Sequence, residues 1–442
     1  MNSTVQYTDM KDSGIKWIGS VPSHWHLHTL YQLVSQVKNK NKDLQEQNLL
    51  SLSYGKIKRR DINTNDGLLP ASFDGYNIIE AGDIVLRLTD LQNDHTSLRV
   101  GQATERGIIT SAYTTLRPSN PAHSRYLYYL IHAFDLKKGF YGMGSGVRQG
   151  LNYDEVKELL VVLPSQEEQQ AIITYLDNIC PEIDGLIQEA ALSIEKYKTW
   201  KDSLISESVT KGIDSTVSMK QSGVSGLGEI PNNYKVASVR WLVSLLTDYT
   251  ANGSFGDLAK NVNYKDSPDY ARLVRLTDLR VNFKNNGVYV DEHAYNYLSK
   301  SSLFGGEILL ANVGAYAGLA VEMPKVPFLA TLGPNMFLLK MDEHFLVQHF
   351  AYYALYGSYC RQQLTLLANK TTAQPKLNKD NLKSINMVLP PLVDQRKIAE
   401  YLDKKCFEIE QIIKEKETLL VELEAYKRSL IYETVTGKRK VV

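Results

Sequence analysis

The chain repeats itself, and the repeat limits the folds open to it. Residues 10–35, MKDSGIKWIGSVPSHWHLHTLYQLVS, match residues 219–244, MKQSGVSGLGEIPNNYKVASVRWLVS, at nine of 26 positions with an offset of 209. Conservative pairs fill several of the gaps: Ile15 with Val224, Val21 with Ile230, Trp25 with Tyr234. A second match, at offset 226, sets LPSQEEQQAIITYLDNIC from Leu163 against LPPLVDQRKIAEYLDKKC from Leu389, and continues as WKDSLISESVT from Trp200 against YKRSLIYETVT from Tyr426. The stretch between the matches is longer in the second copy (245–388) than in the first (36–162). Repeated ends suit a common scaffold, and unlike middles suit surfaces that touch different things. Drift after duplication is the plainer alternative.

Each copy closes on a long amphipathic helix. In the first, Ile172, Leu176, Ile179, Ile183, Leu186, Ala190, Ser193, Tyr197, Trp200 and Leu204 step by four and three, with Ile194 beside Ser193; this is a heptad seam. Pro164-Ser165 ahead of Glu167-Glu168 marks its start, and Gly212 lies just past its end. The second copy gives Ile398, Leu402, Lys405, Ile409, Ile412, Lys416, Leu419, Leu423, Tyr426 and Leu430, with Cys406, Ile413 and Leu420 beside the seam. The order globule, helix, globule, helix with short connections predicts antiparallel pairing of the helices in a pseudo-two-fold circular organisation. A homodimer held by the same helices is the alternative.

The middles mix short β-branched runs, such as Asp83 to Thr89 and Glu307 to Asn312, with helical stretches, such as Arg125 to Ile131 and Leu346 to Ala354. They predict an α/β or α+β domain of moderate size in each copy. The formal net charge of +1 hides an uneven distribution. The helical segments 166–207 and 394–433 together hold −8, which leaves about +9 for the globular parts, the footprint expected of a phosphate-binding surface. The chain has 27 Tyr against 11 Phe, and an aromatic ring with a polar handle suits wet interfaces.

Several segments are equipped for nucleic acid. Lys56-Ile-Lys58-Arg59-Arg60 reads as a basic loop suited to phosphates. Arg87, Thr89, Gln92 and Asn93 in the first copy, and Arg275, Thr277 and Arg280 in the second, follow predicted strands in a shared Arg-Leu-Thr-Asp-Leu run and can bond to base edges. Asn312 and Tyr316 lie at and just past the end of a further strand. Ser145, Arg148 and Gln149 align with Lys370, Thr371, Thr372, Gln374 and Lys376, both sets leading into Leu-Asn-x-Asp at 151 and 377.

Other chemistry is not encoded in a recognisable form. There is no GxxxxGK[ST] phosphate loop, and His24, His26 and His28 have no counterpart trio in the second copy that would argue for a metal. Pro268-Asp269 is followed by no Asp/Glu-x-Lys on a strand, and Asn/Asp-Pro-Pro-Tyr/Phe, an adenine methyltransferase motif, is missing. The reading therefore assigns no catalytic, cofactor or metal residue. Cys180, Cys360 and Cys406 share no metal or disulfide spacing, and no apolar run reaches roughly 18 residues. A cytoplasmic protein with no membrane segment is expected.

These features together resemble a known family. The openings Gly19-Ser-Val-Pro22-x-x-Trp25 and Gly228-Glu-Ile-Pro231-x-x-Tyr234, the run from Gly82 to Gln92, and the Leu-Pro…Gln…Ile…Tyr-Leu-Asp helix entries at 163–177 and 389–403 are similar to those of specificity subunits of type I restriction-modification systems. The resemblance implies target-recognition domains at 1–162 and 213–388, and conserved helices at 163–212 and 389–442 that form an antiparallel coiled coil and dock partners. It implies a non-catalytic subunit that binds double-stranded DNA, one half-target per domain. Two methyltransferase (M) subunits would pack on the helices and restriction (R) subunits would complete the complex, with S-adenosylmethionine, ATP and Mg held by those partners. An unrecognised methylase or endonuclease, and a coiled-coil scaffold without DNA affinity, are the alternatives. If the helices set the distance between half-targets, inserting one helical turn (~4 residues) near Ala190 should lengthen the spacer by about one or two base pairs at ~1.5 Å per residue. An unchanged spacer in the methylated motif would exclude that role.

Overall fold

Four glycines shared by the two openings, Gly14, Gly19, Gly223 and Gly228, all adopt positive φ, at 69°, 73°, 72° and 71°. An L side chain enters that region only at a steric cost, which gives these four identities a physical reason. The computed structural model describes residues 6–63, 70, 72–94, 96, 98–143, 150–368 and 374–441. In it Met10–Asp12 pairs antiparallel with Ser20–Pro22, and Met219–Gln221 with Glu229–Pro231. Trp25 and Tyr234, matched in the sequence, are both buried. The chain divides into unit 1, residues 1–191 with 417–442, and unit 2, residues 192–416.

In each unit the opening and the closing of the globule are joined by one strand pair. His26–Thr29 pairs antiparallel with Leu160–Leu163, and Lys235–Ser238 pairs antiparallel with Asn386–Leu389. The closing strand runs directly into a long helix, Gln166–Lys211 in the first copy and Leu392–Val435 in the second. The two sequence matches, far apart in the chain, are thus one piece of structure.

The middles, which share little sequence, share a topology. In unit 1 an antiparallel sheet has the order Val34–Gln36, Thr114–Pro118, Ile84–Leu86, Val100–Gln102. A second sheet has the order Lys56–Arg60, Leu49–Ser53, Gly107–Ile109, Asn77–Ile79, with its central pair parallel. Unit 2 repeats both. Its first sheet runs Val243–Asp248, Met336–Met341, Ile308–Ala311, Ala320–Glu322, and its second runs Tyr289–Val290, Ala271–Val274, Ala330–Leu332, Ser302–Leu303, again with a parallel central pair. Mostly antiparallel sheets with helices kept apart from the strands make each unit α+β.

The strands Ile84–Leu86 and Ile308–Ala311 are buried along their whole length, so they read as continuous apolar runs rather than alternating ones. Alternation sends their side chains to two cores. Ile84 and Leu86 join the main core under the helix Ser124–Leu136, while Val85 packs with Val37, Leu50 and Leu52. In unit 2, Ile308 and Leu310 take the main core and Leu309 packs with Val274, Leu332 and Leu338.

The long helices are antiparallel within each unit. In unit 1, Tyr126 Oη donates to Val162 O (3.2 Å) and Val435 O (3.0 Å), setting the end of the second helix beside the entry to the first, and Lys427 Nζ lies 2.6 Å from Asp184 Oδ1. In unit 2, Lys201 Nζ lies 2.5 Å from Glu410 Oε1, while Lys211 and Lys397 line one cavity. Offset 226 relates Lys201 to Lys427 and Asp184 to Glu410, so the two ion pairs are equivalent. Parallel, in-register helices would set lysine beside lysine at these positions. Partly exposed pairs of this kind add little stability, about 0–1 kcal/mol, but like-charge contacts penalise the wrong pairing.

The seam differs from the expected one at every second step. Its members on the first helix are Leu176, Cys180, Ile183, Ile187, Ala190 and Ile194, then Lys201 and Ile205. Leu186 and Trp200, expected on it, are about half exposed. On the second helix Cys406, Leu420 and Lys427 replace Lys405, Leu419 and Tyr426, while Ile412 and Ile413 are both half-buried. Lys416 does lie on the seam, with Nζ over the Tyr197 ring, whereas Lys405 pairs along its own helix with Glu408. Four-three and three-four phasing share half their positions. With apolar residues adjacent at 179/180 and 186/187, periodicity alone does not choose between them.

A polar strut ties the sheet to the long helix in each unit. Arg125 bonds Gln102 and Asp177 in unit 1; His349, in the equivalent place, bonds Glu322 (2.8 Å) and Asp403 (2.7 Å) in unit 2. The hydrogen bond to Glu322, with Asp403 adding to it and burial opposing, raises the His349 pKa from 6.5 to about 9. A folded-state pKa above the unfolded one means stability that is full below about pH 6.5 and lost as pH rises through about 9. The melting temperature of the wild type should therefore exceed that of His349→Gln at pH 6, and the gap should close above pH 9. A gap independent of pH would show that the imidazolium is not the stabilising species.

Candidate nucleic-acid interface

The basic cluster expected to be a loop is instead the edge strand Lys56–Arg60. Pairing sets Arg59 opposite Leu50 and Ile57 opposite Leu52, while Lys56, Lys58 and Arg60 lie opposite Ser53, Ser51 and Leu49. The strand therefore sorts its charges. Arg59 closes a bidentate ion pair with Glu105 and holds that carboxyl below its ordinary pKa. Lys56, Lys58 and Arg60 share the opposite face and are exposed. Lysine and arginine on an edge strand also discourage pairing with another chain, so the cluster suits both roles.

Beyond Ile84–Leu86 the chain enters a loop carrying Arg87, Thr89, Gln92 and Asn93. Arg87 is half-buried, 3.7 Å from Asp94; Thr89, Gln92 and Asn93 are exposed, with Asn93 Nδ2 donating to Asp90 Oδ1 at 2.8 Å. Leu151 N donates to Leu88 O at 2.9 Å. The loop is thereby fastened to Leu151, a contact between two regions the sequence treats separately. Ser145, Arg148 and Gln149, and likewise Lys370, Thr371 and Thr372, lie outside the described residues.

Unit 2 has the same fastening: Leu377 N donates to Asn312 O at 2.8 Å, and Gly314 N donates to Pro375 O at 2.9 Å. Sheet order makes Ile308–Ala311 the counterpart of Ile84–Leu86, so Ala311 and Asn312 stand where Arg87 and Leu88 stand. Asp90 (φ 58°) and Gly314 (φ 83°) mark the same left-handed turn. The shared Arg-Leu-Thr-Asp-Leu run is consequently a coincidence of sequence. Arg275 follows Ala271–Val274, the counterpart of Leu49–Ser53 in the other sheet.

Arg275 is also engaged, with Nε 3.2 Å from Asp278 Oδ2. Asp278 accepts from the buried Arg272 and from Asn285 as well. Burial pushes its pKa up, but these bonds, led by that from Arg275, outweigh it and hold the carboxyl below its usual range. Thr277 is exposed on the short helix Leu276–Arg280. Arg280 is exposed too and sits 4.4 Å over the Tyr316 ring. Tyr316 lies in the turn that begins at Asn312, beside the exposed Gln374 and Lys376, and Val313 forms a bridge with Lys376. Arg280, Asn312, Tyr316, Gln374 and Lys376 thus converge, and Arg275 serves the fold beside them.

The sequence reading missed the groups that support these loops. Asp83 accepts from Arg117 (2.8 and 2.6 Å) and from Glu80 N (2.8 Å); in unit 2, Glu307 accepts from Phe304 N and Gly305 N, with Lys340 at 3.4 Å. A Gly-Asp or Gly-Glu pair just before an apolar run was the available signal. His24 bonds Glu168 at the first turn of the first long helix, as do Tyr7 and Trp25. Among the described residues no three His, Cys, Asp or Glu are grouped to hold a metal ion, and no helix is long and apolar enough to cross a membrane.

Comparison with known proteins points one way. Residues 257–421 match the family model of the type I restriction modification DNA specificity domain. Over 440 residues the chain is 24% identical to the specificity subunit assigned to the type I restriction enzyme MjaX of Methanocaldococcus jannaschii, covering 96% of each. Over 401 residues it is 23% identical to the type I restriction enzyme MjaVIII specificity subunit of the same organism, covering 89% of this chain and 84% of the relative. Its fold is similar to a chain solved in work on complex assembly and conformational transition of the type I R-M system, with TM-score 0.67, 13% identity, and coverage of 94% of this chain and 98% of that one. The HsdS subunit from Thermoanaerobacter tengcongensis is similar at TM-score 0.52 and 13% identity, with the same coverage.

Replacing Lys56, Lys58 and Arg60 together with Gln should weaken duplex binding and flatten the plot of log affinity against log salt by about 2–3, at roughly 0.9 per phosphate contact. All three are exposed, so folding should be preserved. Titrations over a salt series measure the slope, and an unchanged slope would remove this strand from the interface.

Proposed function

We propose that this chain, similar over most of its length to type I restriction enzyme specificity subunits and matching their DNA specificity domain over 257–421, is such a subunit, and that unit 1 and unit 2 each read one half of a two-part duplex target. The observation that carries this reading is the repeated construction of the interface. The same loop is fastened to the same following segment in both units, by Leu88 O with Leu151 N and by Asn312 O with Leu377 N, yet the side chains it offers differ. Identical supports with unlike readers are what recognition of an asymmetric site requires. Phosphate contacts from Lys56, Lys58 and Arg60 would position unit 1, and side chains such as Gln92, Asn93, Arg280 and Gln374 would discriminate base edges.

The long helices would dock two methyltransferase subunits, and restriction subunits would complete the assembly. Leu186, Leu192 and Trp200 on the first helix and Phe407 and Val421 on the second are large, about half or more exposed, and outside the helix seam. Such residues favour a protein partner. Methyl transfer and cleavage, with S-adenosylmethionine, ATP and Mg, would then belong to the partners, while this chain supplies the address.

Exchanging residues 36–162 for the corresponding segment of another family member, and sequencing the methylated bases of a strain carrying the hybrid complex, tests the reading. One half of the methylated motif should change and the other should stay. A change in both halves, or in neither, would contradict separate readers.

A further inference from the structure

We propose that Arg99 positions the reading loop of unit 1, and so determines how strictly the first half-target is recognised, without itself touching DNA. This rests on the assignment of residues 87–94 to the interface. Arg99 precedes the strand Val100–Gln102 and is 0% exposed. Its guanidinium spends every donor it has on this region. Nη1 donates to Arg87 O (3.1 Å) and Thr89 O (2.8 Å), Nη2 to Asp90 O (3.2 Å) and Asp94 O (2.5 Å), and Nε to Tyr141 Oη (3.0 Å).

A planar fork of five N–H groups meets four carbonyls and a hydroxyl, a set that a lysine with three donors cannot satisfy. The loop belongs to no helix or strand. Its path, including the left-handed Asp90, is therefore set by these bonds rather than by a ladder. With its carbonyls drawn in toward the cation, the loop leaves Thr89, Gln92 and Asn93 exposed.

Arg99 is itself anchored from two sides. Its backbone N–H donates to Asp135 Oδ2 at 2.6 Å on the helix Ser124–Leu136, and its carbonyl accepts from Arg87 N at 2.9 Å. Tyr141 Oη, which accepts from Arg99, donates in turn to Asp94 O at 2.9 Å. Tyr141 lies on the turn Gly139–Gly142, ahead of the segment that enters Leu151. One buried cation therefore joins the loop 87–94 to the turn Gly139–Gly142.

Unit 2 builds its loop differently. Strand register equates Gln102 with Glu322, which puts Leu319 in the place of Arg99. The loop there turns on Gly314 and Gly318, both at positive φ. Loss of Arg99 should consequently affect one half-target only, and the other half serves as an internal control.

The test uses Arg99→Lys and Tyr141→Phe in the intact chain with its methyltransferase partners. The first half-target is defined as the half that changes when residues 36–162 are exchanged. Binding is measured to the wild-type target duplex, to duplexes with single-base changes in either half, and to an unrelated duplex. R99K should lose roughly tenfold of its discrimination in the first half, the scale of one mismatched base pair, and keep both its discrimination in the second half and its affinity for the unrelated duplex. Full discrimination in the first half, or equal loss in both halves, overturns the proposal. If R99K does not fold, as judged by its melting transition, Y141F decides by the same criteria, since it removes one hydroxyl from the cluster. A wild-type chain that shows no two-part target would instead refute the proposed function, a result distinct from either outcome for Arg99.

Discussion

Each unit depends on a short antiparallel pairing between its first and last strands, His26–Thr29 with Leu160–Leu163 and Lys235–Ser238 with Asn386–Leu389. This pairing brings together residues more than a hundred positions apart and delivers the chain into a long helix. Everything between the two strands is then an insertion with clamped ends. Loop-closure cost grows slowly with length, so such an insertion can lengthen or change without disturbing what holds it. The extra length of the second middle is absorbed in this way, in part by a larger core around Tyr249, Leu258 and Ala294 where unit 1 has the small one around Leu49, Ile78 and Ile108. The clamp must keep its sequence, because its glycines at positive φ and its buried Trp25 and Tyr234 have few substitutes.

The long helices show a second use of the repeat. Each carries both an acid and a lysine of the crossed ion pairs, Asp184 and Lys201 on one, Glu410 and Lys427 on the other. Charges of this kind contribute less to stability than the buried Leu176, Ile183, Leu402 and Ile409 do. They specify direction, because only antiparallel helices bring unlike charges together at both places. Leaving Leu186, Trp200 and Phe407 off the seam keeps apolar surface exposed on the helices.

The equivalent loops of the two units reach one backbone arrangement by different chemistry. In unit 1 the loop is organised from within by the guanidinium of Arg99; in unit 2 glycines allow the turns and Tyr316 stacks under Arg280. A buried cation solvated by backbone carbonyls is demanding, since removing any partner strands a polar group. A glycine turn is more tolerant. Duplicated domains can thus keep a fold while exchanging the device that shapes a loop.

The sequence alone determined the duplication, the scaffold at its ends, the two long helices and the concentration of basic residues outside them. These are carried by identities, periodicity and charge, which are local or strictly repeated. The antiparallel direction of the helices also followed, from chain order. What the sequence left open was decided by pairing across the fold. Both phasings of the seam satisfy the heptad pattern at 179/180 and 186/187, and only packing selected Cys180 and Ile187. Lys56–Arg60 became a strand because Leu49–Ser53 offered it a partner. Arg275 matched Arg87 in sequence, but sheet order separates them, since strand position depends on hydrogen bonds between distant segments rather than on a shared pentapeptide. Arg99 is one arginine among many in the chain, and only tertiary structure gathers four carbonyls and a tyrosine hydroxyl around it.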